Sequence, residues 1–165
     1  LSTGEFDRAV GALCSAQRVF VHGKNASASL AQLLHFRLRR LGLQVSLLPS
    51  GGSELLEGLS QAAENDLVVL FSFSKVSREG RMILEYQKQA GYRTLAFTSR
   101  SYLPEPDRAD MNLFVYRGEA KEYHSMTAPA ALIDALVVAV SEKLGDEAVQ
   151  RLSNLHRMKR LYGGL

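Results

Sequence analysis

A single cysteine, Cys14, stands in 165 residues, so the chain can form no internal disulfide and no cysteine-based zinc site. Such sparing use fits a reducing cytoplasm, the location we expect. No apolar run approaches the roughly 20 residues that span a bilayer, so neither a transmembrane helix nor a membrane partner is expected. The opening LSTGEFDRAV lacks the basic-then-apolar layout of a signal peptide. It also lacks an initiator Met, which leads us to expect a segment upstream that this chain does not include. Internal repeats and low-complexity stretches are missing as well. Net charge is small: twenty Lys and Arg against seventeen Asp and Glu give +3. Four of those bases (Arg151, Arg157, Lys159, Arg160) and none of the acids lie in residues 151–165, which leaves the first 150 residues at −1. The basicity therefore belongs to a C-terminal tail, and a nucleic-acid groove across the body of the chain is not expected.

What is present is a 46% hydrophobic, 22% charged composition, the make-up of one ordinary globular domain. A chain of this length buries roughly two-thirds of its unfolded surface and needs no covalent staples. Strand-length apolar runs alternate with helical stripes throughout. Residues 4–15 read as an amphipathic helix on Phe6, Val10 and Leu13, and RVFVHG (18–23) as a buried strand. Leu30, Leu33, Leu34, Leu38 and Leu41 recur at helical spacing and stop at Gly42. Strands follow at 43–48, 67–73, 93–99 and 111–116, with helices expected at 53–63 (capped by Ser53), 78–90, 129–144 and 146–160. This rhythm predicts an α/β fold: a three-layer αβα sandwich on a five-stranded parallel sheet, with the flavodoxin-like order 2-1-3-4-5.

That order makes the first and third strands neighbours whose loops diverge to opposite faces, opening a crevice at their carboxyl ends. The loops there are Gly23-Lys24-Asn25-Ala26-Ser27 and Ser72-Phe73-Ser74-Lys75-Val76-Ser77, and each opens onto a helix. Four hydroxyls, an amide and two ammonium groups thus converge beside two helix N-termini, where free N–H groups and the positive dipole end favour an anion. A phosphate is the expected guest. Ser27, Ser72, Ser74 and Ser77 are the expected ligands, with Asn25 and Lys75 at the rim.

The pattern of apolar strand, G-x-x-x-S and helix, followed by apolar strand, S-x-S-x-x-[ST]-x-E and helix, resembles the SIS (sugar isomerase) domain. The matching residues are Gly23 to Ser27 and then Ser72, Ser74, Ser77 and Glu79. The likeness continues through Ala-Phe-Thr98, Ala109-Asp110 and the APAALIDAL helix, covering essentially the whole chain. With its opening helix close to the first strand, the chain looks most like the C-terminal effector domain of RpiR-type transcriptional regulators. That resemblance implies a phosphorylated sugar or sugar acid as effector, no cofactor, and DNA contact only through an upstream helix-turn-helix domain. In these terms residues 1–165 form one SIS domain, 1–15 being a linker helix and 146–165 a basic terminal helix and tail. Two positions depart from the family pattern: Asn25 and Lys75 stand where glycine is usual. Asn tolerates left-handed geometry better than most residues, whereas a Lys adds a Cβ where the loop would wrap a phosphate.

Enzyme members place a Glu and a His close to the last long helix, and a proton shuttle between adjacent carbons needs such a pair. Here Glu119, Glu122 and His124 precede that helix, and Glu122 with His124 are the nearest catalytic candidates. Loop placement favours a sensor without catalysis; an aldose–ketose isomerase and a dimerisation module with a degenerate site are the alternatives. His22 is either a crevice group or a hydrogen-bonded core histidine, while His35 and His156 read as surface. No His or carboxylate spacing suits a metal. The helix 129–144 is apolar around much of its circumference (Leu132, Ile133, Leu136, Val137, Val138, Val140), which predicts a homodimer or higher homo-oligomer.

Overall fold

Apolar runs three to six residues long become strands and the 3.6-periodic stripes become helices, alternating from β1 to β4. The order is α1 (Thr3–Ser15), β1 (Val19–Gly23), α2 (Ser27–Arg40), β2 (Val45–Leu47), α3 (Gly52–Leu59), β3 (Leu67–Phe71), α4 (Arg78–Ala90), β4 (Arg93–Thr98), β5 (Met111–Phe114), α5 (Thr127–Leu144) and α6 (Asp146–Tyr162). A short 3₁₀ turn, Glu105–Asp107, interrupts the loop before β5. The computed structural model describes residues 2–118 and 123–163.

All strand pairings are parallel, in the order β2-β1-β3-β4-β5, as the alternation predicts. β1 and β3 run in register from Val19 opposite Leu67 to Gly23 opposite Phe71. Side chains of the central strands alternate between two cores. Val19, Val21, Val69, Leu95, Phe97 and Leu113 face α1, α2 and α5, whereas Phe20, Val68, Leu70 and Ala96 face α3 and α4. Every residue of β1 and β3 is buried, as central strands covered on both faces require.

Two carboxylates at the sheet margins, buried Asp66 and exposed Asp110, are tied to the backbone. Asp66 accepts from Arg18 (3.2 and 2.7 Å) and from the Ala63 N–H, pinning the entry to β3. Asp110 accepts from the Thr94 N–H (2.8 Å) and hydroxyl (3.1 Å), tying β4 to the loop before β5, so its part in the family pattern is structural.

Two expectations change. Ser53 does not cap α3: left-handed Gly52 (φ +73°) begins that helix, Gly51 occupies the N-cap, and no side chain bonds there. The apolar circumference of α5 is also largely covered within the chain. Leu132, Ile133, Leu136 and Val140 are buried and Val137 is half-buried under α1 and α2, which leaves Val138 exposed. Among the described residues no helix is long and apolar enough to cross a membrane.

Candidate functional site

The two loops at the carboxyl ends of β1 and β3 are set by their backbones. At Gly23 a Cβ would stand 2.5 Å from the Ser27 carbonyl oxygen and 2.8 Å from its carbon, so only glycine lets α2 start this close to β1. Asn25 adopts φ +54°, the left-handed geometry for which an amide is the next best residue after glycine. Lys75 is absent from the positive-φ positions, so its Cβ meets no backbone penalty. The second loop is braced from β4. The Ser72 N–H donates to the Phe97 carbonyl (2.9 Å), the Ser99 N–H donates to the Phe73 carbonyl (3.1 Å), and Phe71 stacks on Phe97 at 4.5 Å.

Between them lies a crevice of about 300 Å³. Ser27, Ser72, Ser74, Ser77, Asn25 and Lys75 all line it, so the six residues singled out from sequence are brought to one place. His22, Lys24, Phe73 and Arg117 line it as well. The hydroxyls differ in freedom. Among the described residues Ser27 and Ser74 have no side-chain partner, and Ser72 donates only a long bond (3.3 Å) to the Lys75 carbonyl. Ser77 is the N-cap of α4, its oxygen accepting the Gly80 N–H at 3.0 Å. At α2 the N-terminal N–H groups are not free: those of Ser27, Ala28 and Ser29 donate to the carbonyls of Lys24, Asn25 and Ala26.

Charge in the crevice is organised across its width. Lys24 donates to Glu79 Oε1 at 2.9 Å, joining the first loop to the first turn of α4. The Lys24 ammonium, the Glu79 backbone N–H and the Ser77 hydroxyl together hold the Glu79 pKa down to about 2. His22 is 3% exposed with Nε2 3.4 Å from the Ser50 carbonyl, and burial lowers its pKa, so the ring is neutral near pH 7. It is thus both a core histidine and a crevice group.

Arg117, from the loop after β5, lies over the Phe73 ring with its guanidinium carbon 4.2 Å from the centroid. Its Nε is buried without a hydrogen-bond partner, and burial lowers its pKa. Sequence reasoning missed Arg117 because no spacing links position 117 to a loop forty residues earlier. The Lys24–Glu79 pair was missed for the same reason; the charge signs alone were visible.

His124 is half-buried and does not line the crevice, and Glu119 and Glu122 lie outside the described residues. His35 is half-buried rather than on the surface, and burial followed by the nearby Arg39 charge lowers its pKa. Among the described residues no group of His, Cys, Asp or Glu is arranged for a metal. A larger groove, about 750 Å³, runs between α3 and α4 over Leu55, Leu56, Val76 and Met82 and shares Lys75 and Ser77 with the crevice. Arg78 and Arg81 line it beside Glu79 and Glu85, but it takes no residue from the loop after β1, whereas the smaller crevice is lined by the loops after both β1 and β3, where this fold places a ligand.

The family model for the SIS domain matches residues 12–139. The chain belongs to the SIS domain family. It is 25% identical over 158 residues to an uncharacterized HTH-type transcriptional regulator of Caldanaerobacter subterraneus subsp. tengcongensis, a match of 93% of this chain to 56% of that protein. The chain thus spans little more than half the length of that curated relative. Among solved structures it is similar to the sugar isomerase domain of an RpiR transcription factor from Sphaerobacter thermophilus. That likeness has a TM-score of 0.85 and 27% identity, over 94% of this chain and 87% of the other. The Vibrio vulnificus NanR protein, solved in complex with ManNAc-6P, shares the fold of this SIS domain at TM-score 0.82 and 17% identity, over 98% of this chain and 62% of that one.

Proposed function

We propose that this SIS domain is the phosphosugar-sensing effector domain of an RpiR-type regulator of sugar metabolism and carries out no catalysis of its own. The observation that carries the reading is the single crevice at the β1–β3 switch point, where Ser27, Ser72, Ser74 and Ser77 meet Lys75 and Asn25. Serine hydroxyls give short, directed bonds to phosphate oxygens, and the α4 N-terminus adds a favourable dipole. The likeness to an RpiR sugar isomerase domain supports the regulator reading, and the phosphosugar bound by NanR supports the ligand class.

The non-catalytic part rests on the acid–base groups at the site. An aldose–ketose isomerisation needs a base whose pKa approaches the working pH. Glu79, held near 2 by Lys24, is a weak base, and His22 has its Nε2 beside the Ser50 carbonyl. In this reading residues 1–165 form one effector domain and DNA is read by an upstream helix-turn-helix part of a longer protein. The effector works on a homodimer by changing subunit orientation.

Titration calorimetry against a panel of hexose and hexosamine 6-phosphates tests the proposal. The wild-type domain should bind at least one member, and a Ser72→Ala/Ser74→Ala variant should lose that binding while keeping its melting temperature within a few degrees. Unchanged affinity in the variant sinks the site. Aldose–ketose turnover by the purified chain sinks the non-catalytic reading.

A further inference from the structure

Three cations border the crevice, and they are not equivalent. Lys24 is committed to Glu79 at 2.9 Å, and the Ser77 hydroxyl and the first turn of α4 serve the same carboxylate. An internal anion therefore already occupies part of the positive end of α4. A phosphate monoester carries close to two negative charges at pH 7 and needs countercharge from elsewhere. Two cations remain without an acidic partner among the described residues: Lys75, exposed within the second loop, and Arg117. Only Arg117 is pre-oriented. Its guanidinium is stacked on Phe73, the residue between Ser72 and Ser74, and Phe73 is fixed because its carbonyl accepts the Ser99 N–H. A buried, unpartnered guanidinium Nε is costly unless a ligand completes it, and the planar fork matches phosphate oxygens two at a time.

We propose that Arg117, reaching from the loop after β5, is the principal charged ligand of the effector's phosphate, with Lys75 as the outer countercharge. This rests on the phosphosugar reading of the crevice and extends the binding set to a lining residue from beyond β5. The consequence is a site that draws residues from three connections, those after β1 and β3 and, through Arg117, that after β5. Arg117 begins the connection to α5, so binding the anion ties the ligand to the helix that packs on α1 and α2.

The test uses inorganic phosphate and whichever hexose 6-phosphate the wild-type chain binds, followed by calorimetry and by the Arg117 Nε–Hε resonance in a ¹⁵N-labelled sample. That resonance should shift saturably with phosphate and not with chloride at matched ionic strength. Arg117→Gln should weaken phosphosugar binding at least tenfold, and Arg117→Lys should fall between it and wild type. If the glutamine variant is too unstable to measure, the lysine variant and the resonance shift decide. Phosphosugar affinity within twofold of wild type in Arg117→Lys and Arg117→Gln, with Ser72→Ala/Ser74→Ala still abolishing binding, overturns the role of Arg117 and leaves the serine site standing. A lower melting temperature with unchanged affinity overturns it too, as the signature of stacking on Phe73 alone. A wild-type chain that binds neither probe overturns the phosphosugar reading itself.

Discussion

At Asn25 the backbone stands at φ +54°, and at Gly23 a Cβ would sit 2.5 Å from the Ser27 carbonyl oxygen. These two residues carry the geometry of the first crevice loop, and each makes its own prediction. Asn25→Gly should leave stability within about 0.5 kcal/mol, whereas Asn25→Ala should cost about 1–2 kcal/mol through its left-handed φ. Gly23→Ala should cost about 1–3 kcal/mol, because the obstacle is backbone and not the tip of a flexible side chain. Chemical denaturation of the three variants checks all of this. The first loop was legible in sequence: Gly before a helix and an amide at a left-handed position leave a local signature. The serines of the second loop were legible for the same reason. Arg117 and the Lys24–Glu79 pair were not, since both depend on loops that the sheet brings together from 40 or more positions apart, and no periodicity encodes that meeting.

Helix α4 joins structure to binding in one residue. Ser77 caps it through the Gly80 N–H at 3.0 Å and also lines the crevice. Ser77→Ala should therefore lose about 1 kcal/mol of stability together with phosphosugar affinity, whereas Ser72→Ala should lose affinity with much less effect on stability. Thermal melts paired with calorimetry separate the two; equal stability loss at both positions would contradict the division. Helix α5 teaches a different lesson. Its composition reads as apolar nearly all round, which suggests a face left over for a partner. The fold instead lays α1, α2 and α6 along it, because the chain enters the sheet from one helix and leaves it through another on the same side. Sequence periodicity shows how wide an apolar stripe is, but not how many neighbours share it.

Across the whole molecule, two histidines shift in the same direction near neutrality. Burial lowers the pKa of His22, and burial with the Arg39 charge lowers that of His35. The unfolded chain therefore takes up protons that the folded chain refuses, and stability is lost as pH falls through the ordinary histidine value of 6.5. Melting temperatures should decline between pH 7 and 5.5, and His22→Gln should flatten that slope; an unchanged slope would assign the effect to other groups. On the last turns of α6 three large apolar side chains, Met158, Leu161 and Tyr162, face solvent among Arg157, Lys159 and Arg160. The basic balance of the sequence resides in residues 151–165, none of which lines the crevice. The order of the strands, and with it the place of the crevice, followed from the strand–helix rhythm together with right-handed crossovers and the commonest strand order at this size.

The central claim is that an anionic sugar sits where β1 and β3 part. Amide chemical-shift mapping with a bound hexose 6-phosphate tests it most directly. The account predicts that the largest changes fall on Gly23–Ser27 and Ser72–Ser77, with Arg117 among them. Changes gathered instead along the aliphatic groove between α3 and α4, on Leu55, Leu56 and Met82 with residues 23–27 unmoved, would contradict it.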